Sequence, residues 1–227
     1  LKKPISEERT KKNMIKKKYK ILNLYSCLGG NRYKWDEVAD NLEVTAVELD
    51  PEAARLYQER FPNDTVIVAD AHQYLLDHYK EFDFIWSSPP CPTHSRFNLS
   101  MKTTRKMKYP DMKLYEEIIF LEHFFDGKYV VENVIPFYTP LIQGKERNRH
   151  LYWTNFNLPN TVSDRKNPDL GRTKNLIDAL SEFHDYDFRK YKGEQAMNKM
   201  ARNLVDYEAG KTILETAFGI QRQQNIN

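Results

Sequence analysis

Only two cysteines, Cys27 and Cys91, occur in 227 residues. Two thiols cannot staple a chain of this size, which excludes a disulfide-framed secreted scaffold and fits a reducing compartment. On the count alone they read either as a buried structural pair or as one inert and one reactive thiol. No apolar run approaches the ~20 residues of a membrane span, and the lysine-rich start has no apolar stretch of the kind a signal peptide needs. A complete G-x-G-x-x-G is also missing, and with it the usual cradle for a pyrophosphate. There is no internal repeat, and no low-complexity tract beyond the lysine-rich start. What remains is a globular composition, 40% apolar and 13% aromatic, long enough for one good-sized core and a second small region. The expected location is cytoplasmic, with no membrane partner.

The net charge of +3 is small but uneven. Nine Lys and Arg against two Glu put +7 on residues 1–20 and leave −4 on the rest. A second basic cluster, Lys102, Arg105, Lys106, Lys108 and Lys113 against Asp111, follows a Pro-Pro-Cys segment. Basic patches on an acidic body suit a polyanion such as a nucleic acid. The plainer reading of residues 1–18 is a solvated lysine tail.

Along the chain, apolar runs at 20–26, 43–49, 65–69, 82–86, 129–133 and 151–156 read as strands. Asp50-Pro51 predicts a helix start, with an N-cap followed by proline at the first helical position. Further helices are predicted at 73–79, at 111–125 from the spacing of Leu114, Ile118, Leu121 and Phe125, and at 197–218 with an interruption near Asp206. This alternation predicts an α/β fold with a doubly wound, mostly parallel sheet and a small insertion in its C-terminal half. Ligands in such sheets sit beyond the carboxyl ends of the strands. Gly29, Glu48, Asp70, Cys91 and Glu132 all fall at those ends. The expected organisation is a basic tail (1–18), a catalytic domain (19–156), a variable target-recognition region (157–195) and a returning C-terminal helix (196–227).

Gly29-Gly30 after the first strand lets backbone approach a ligand. Glu48 closes the second strand, where a carboxylate can accept both ribose hydroxyls of a nucleoside. Asp70 closes the third, placed for an adenine amino group. Each alone reads equally as a tight turn, a helix cap or a solvated carboxylate. In this order, without a pyrophosphate cradle, they point to an adenosine cofactor lacking phosphates, S-adenosylmethionine rather than NAD.

Asn23-Leu-Tyr-Ser-Cys-Leu-Gly-Gly30, Ser88-Pro89-Pro90-Cys91 with Ser95, Glu132-Asn133-Val134 and Arg147-x-Arg149 together resemble the motif series of DNA cytosine-C5 methyltransferases. The resemblance covers about residues 20–156, with a weaker echo at Ala201-Arg-Asn-Leu-Val-Asp206. It implies a class I, Rossmann-like methyltransferase that binds S-adenosylmethionine, releases S-adenosylhomocysteine and uses no metal. It places Tyr25, Ser26, Gly29, Gly30, Glu48, Leu49, Asp70, Ala71 and Pro89 at the cofactor. Cys91, Glu132, Arg149 and Arg147 fall in the catalytic group, with Arg147 supporting the loop. Ser88, Pro90, Ser95, Asn133, Val134, Lys102 and Arg105 fall at the substrate, Asn133 by positioning loop backbone. The implied substrate is a cytosine flipped out of DNA, because a duplex hides C6.

The sequence departs from the family at Cys27, where glycine is usual, at Pro92 and His94 after the nucleophile, and at Lys145, where glutamine is common. A loop or DNA-contact role is expected for His94. Only residues 157–195 are available for target recognition, so a short or relaxed target, or a partner subunit, is expected. Such compactness suits a bacterial or phage-encoded enzyme in a restriction–modification setting. The alternatives left open are the same chemistry on RNA, as in tRNA-modifying relatives, a catalytically silent DNA-binding homologue, and transfer of a different group from a modified cofactor.

Overall fold

A computed structural model of the chain describes residues 18–100, 107–168 and 174–220. Lys102, Arg105 and Lys106, residues 1–17 and residues 221–227 lie outside the described residues.

The elements in chain order are β1 (Tyr19–Leu24), β2 (Leu42–Glu48), α1 (Pro51–Arg60), β3 (Thr65–Val68), α2 (Ala71–His78), β4 (Phe84–Ser87) and α3 (Arg96–Ser100). They continue with α4 (Lys113–Phe124), β5 (Lys128–Val134), β6 (Lys145–Arg147), β7 (His150–Thr154), α5 (Leu176–His184), α6 (Met197–Arg202) and α7 (Tyr207–Ala217). The seven strands form one sheet in the order β3-β2-β1-β4-β5-β7-β6. The first five strands pair in parallel, and β7 runs antiparallel between β5 and β6.

The apolar runs are continuous because both faces of the sheet are covered. Leu22, Leu24, Ile85 and Val131 pack with Leu114, Ile118 and Leu121 of α4 on one side. Ile21, Phe84, Trp86 and Val130 point the other way, against Trp35 and Ile213 and Leu214 of α7. Each of those two fully buried α7 side chains contributes about 1.5–3 kcal/mol. Asp50, Asp70 and Asp206 cap α1, α2 and α7, each accepting backbone N–H groups of the first turn. A cap of this kind is worth about 1 kcal/mol.

The 197–218 stretch is two helices, broken before Asp206. β6 was not expected. Its three residues, Lys-Glu-Arg, carry charge rather than apolar alternation, so only pairing with β7 marks it as a strand. Residues 176–191 also pack into the core. α5 supplies Leu180, and Phe188 and Tyr191 follow it into a cluster with Leu28, Ala53 and Leu56 of the cofactor half and Met200 and Leu204 from around α6.

Candidate active site

The parallel strands end on one cleft of about 870 Å³, at the point where strand order reverses between β1 and β4. A volume of this order accommodates a nucleoside ligand together with a base.

On its cofactor side the cleft is lined by Tyr25, Glu48, Leu49, Asp70, Ala71 and Pro89. Glu48 is held by backbone: Oε2 accepts from Cys27 N at 2.8 Å and Oε1 from Asp50 N at 2.9 Å. The carboxylate keeps acceptor capacity for a further donor, and burial pushes it above its usual range. Asp70 accepts from Gln73 N at 3.0 Å and lies 3.8 Å from Lys113 Nζ. The Gln73 amide holds its carboxyl below the usual range. Two open carboxylates, an exposed Leu49 and no phosphate cradle fit an adenosine ligand without phosphates.

Ser26, Gly29 and Gly30 are not among the residues that line the cleft, whereas Tyr25 and Cys27 on either side of Ser26 are. Gly29 (φ +70°) would drive a Cβ to 2.3 Å from the Phe61 ring, and Gly30 would drive one to 2.4 Å from Val205 O. The glycines admit neighbouring protein. Ser26 is buried, with its amide on Val47 O. Cys27, where the family has glycine, keeps a left-handed backbone at φ 48° and lines the cleft. The glycine-type turn therefore survives with a side chain on it.

On the other side, Ser88, Pro90, Cys91, Glu132, Asn133, Val134 and Arg149 line the same cleft. Glu132 is buried, with His150 Nε2 3.4 Å from its Oε1. Val134 pairs with His150 and Glu132 with Tyr152, so Glu132 and His150 are diagonal neighbours on one face. Asn133 Nδ2 donates to Pro89 O at 2.9 Å, and its Oδ1 accepts from Val134 N at 2.9 Å. It fixes the backbone just before Cys91.

Arg147 is turned away from the cleft. Its Nε donates to Pro159 O at 2.6 Å, and Asn148, at φ 54°, makes the tight turn that separates it from Arg149. The Arg147 guanidinium is thus tied to the 158–159 segment. Lys145 likewise bonds Thr154 Oγ1 and Phe156 O, at 2.7 and 2.6 Å. Ser95 lies outside the cleft lining and accepts from Phe97 N at the start of α3. His94 is 1% exposed, with Nδ1 2.5 Å from Tyr138 Oη, and it lines the cleft beside Cys91.

Burial, then the charge of Glu132, pushes the Cys91 thiol up to about 11, against the opposing pull of Lys199 and Arg149. His150 and Lys199 were missed in the sequence. His150 adjoins Arg149, but Lys199 sits on α6 with no signal beyond helical context. At pH 7 the thiol is almost wholly protonated. Iodoacetamide labelling of Cys91 is therefore expected to rise about tenfold per pH unit from 7 to 10. Cys27, pushed up further by burial and Glu48, should react more slowly still. Peptide mapping checks both; a rate already flat at pH 8 would contradict the buried, Glu132-facing thiol.

No helix among the described residues is long and apolar enough to cross a membrane. The model of the C-5 cytosine-specific DNA methylase family matches residues 19–139, more than half of the chain. No curated protein matches. Among solved structures, the Entamoeba histolytica methyltransferase EhMeth aligns over 89% of this chain and 98% of its own, at 10% identity and a TM-score of 0.51. That likeness shows a shared fold. A mutant of Spodoptera frugiperda DNMT2 is 26% identical over 51% of this chain, with a TM-score of 0.37. A TehB-like SAM-dependent methyltransferase from Corynebacterium glutamicum is 18% identical over 51% of this chain and 55% of its own, with a TM-score of 0.34. The chain spans 35% of the Spodoptera protein's length. The chain belongs to the C-5 cytosine-specific DNA methylase family, and its cofactor is S-adenosylmethionine.

Proposed function

We propose that the protein methylates C5 of cytosine in DNA through a covalent bond between Cys91 and C6. The observation that carries this reading is the convergence of Cys91, Glu132 and Arg149, from three separate segments, on the cleft that also presents Glu48 and Asp70.

Cytosine C5 is too weak a nucleophile to take a methyl group unaided. Addition of the Cys91 thiolate to C6 forms the S–C6 bond and pushes the C5–C6 π electrons onto C5, giving an enamine. Glu132 donates a proton to N3 and accepts from the amino group, compensating charge as it develops. Arg149 hydrogen-bonds the O2 oxygen. When bound, S-adenosylmethionine supplies a methyl group on a sulfonium, the electrophile that an activated C5 accepts. Loss of the C5 proton to solvent, return of the N3 proton to Glu132 and expulsion of the thiolate restore the aromatic ring. Glu48 holds the ribose and Asp70 the adenine edge, with Tyr25, Leu49, Ala71 and Pro89 as apolar walls. Ser88, Pro90 and Val134 shape the base pocket. Lys102 and Arg105 are assigned to phosphates on sequence grounds alone. Residues 157–195 serve target recognition, alone or with a partner subunit.

DNA carrying 5-fluorocytosine tests this directly, because fluorine at C5 blocks proton loss and leaves a stable adduct. We expect a denaturation-resistant complex with wild type and none with Cys91→Ala. A parallel incubation of DNA and tRNA with methyl-labelled cofactor distinguishes the polymers. Label in tRNA alone would overturn the choice of DNA while leaving the chemistry intact.

A further inference from the structure

Below the cleft lies Glu117 of α4, a carboxylate with 0% exposure. Its Oε1 accepts from the Tyr25 hydroxyl at 2.5 Å and meets His72 Nδ1 at 3.0 Å. Its Oε2 accepts from Ser87 Oγ at 2.5 Å. Burying a carboxylate is costly unless its lone pairs are filled, and here three side chains fill them. His72 thus presents Nδ1 to Glu117 and Nε2 to Glu116, the latter at 3.5 Å.

Each donor adjoins a different part of the cleft. Tyr25 lines it directly, His72 follows Asp70 and Ala71 at the start of α2, and Ser87 is the residue before Ser88-Pro89-Pro90-Cys91. Tyr25 also holds a left-handed backbone, φ 55°, unusual for an aromatic residue and maintained only where the surroundings impose it. Burial and Glu117 push its phenol well up, so it stays a donor.

We infer that Glu117 is a positioning residue for the cofactor: its buried carboxylate fixes the Tyr25 ring as a wall of the adenosine site and ties that wall to the α2 start and the root of the Cys91 loop. Glu117 itself does not line the cleft, so it acts through these three side chains. A carboxylate that merely stapled α4 to the sheet would affect folding and leave ligand affinity alone.

Calorimetric titration with S-adenosylhomocysteine, without nucleic acid, separates the two roles. It is independent of whether DNA is the substrate. Glu117→Gln, which cannot be the sole acceptor for three donors, should weaken binding by about tenfold or more. Tyr25→Phe, which removes one hydroxyl and keeps the ring, should weaken it similarly. Because both break one linkage, the double variant should fall well short of the product of the singles. Wild-type affinity in both single variants, measured well below their melting temperatures, would overturn the inference whatever their stability. If Glu117→Gln fails to fold, Tyr25→Phe decides alone: unchanged affinity refutes the role, weakened affinity supports it.

Discussion

Cys91→Ala is expected to bind S-adenosylhomocysteine as wild type does and to lose methyl transfer by about ten-thousandfold or more. Removing the sulfur removes a bond-forming step, and no neighbouring group substitutes for it. His94, in the same loop, is buried with Nδ1 on the Tyr138 hydroxyl. The other thiol, Cys27, is on the cofactor side, its amide bonded to Glu48. The loop itself should keep its shape in the variant. Its backbone is held by Asn133 at Pro89 O and by the His94 and Ser95 amides on Cys91 O, at 3.0 Å each. None of these bonds uses the thiol. Steady-state transfer of labelled methyl groups, read beside calorimetry, checks both halves of the expectation. Substantial residual transfer would refute the covalent route. Joint loss of transfer and cofactor binding would mean that the cleft had collapsed.

The parts of this molecule legible in the sequence are those whose physics is local. Strands covered on both faces read as unbroken apolar runs, and Asp50-Pro51 announces α1 by its cap. What escaped depends on neighbours distant in the chain. Gly30 is the right residue type at the right turn, but the atom that requires it is Val205 O, supplied by the segment between α6 and α7. Only the family resemblance distinguishes Arg147 from Arg149 in the sequence; a hairpin turn at Asn148 sends one to Pro159 O and leaves the other on the cleft. Glu117 falls among the apolar positions that identify α4, where a glutamate looks like part of a solvated face. Its burial appears only when Tyr25, His72 and Ser87 close over it.

α5 escaped for a related reason. Its N-cap, Asn175, makes no side-chain capping bond, so the boundary signal is weak. Its apolar face becomes meaningful only against α1 and α6. This packing continues into the cofactor loop. The Tyr191 hydroxyl and Gln195 Nε2 both donate to Asp50 Oδ2, at 2.5 and 3.1 Å. The stretch between β7 and α6 therefore buttresses the β2–α1 loop through Tyr191 and Gln195. Whatever residues 157–195 contribute to target choice, part of the segment is committed to the cofactor half.

Glu132→Gln should separate two quantities that a general loss of structure would move together. Methyl transfer is expected to fall by about a hundredfold to ten-thousandfold, in kcat more than in KM, because a carboxamide can hydrogen-bond the base edge but cannot pass a proton to N3. The Cys91 thiol should respond in the opposite sense. Glu132 is the second cause, after burial, of its elevation to about 11. Removing that negative charge while Lys199 and Arg149 remain lets the thiol ionise at lower pH. The pH-dependence of alkylation at Cys91 should therefore shift downward even as catalysis collapses. The residues around the carboxylate give little reason for wider damage, since Glu132 shares a face with His150 and its backbone stays in the β5–β7 ladder. A more acidic thiol in a slower enzyme means that Glu132 serves the reaction by transferring a proton, at the expense of a resting thiolate. A variant with unchanged alkylation and unchanged transfer would remove Glu132 from the chemistry altogether.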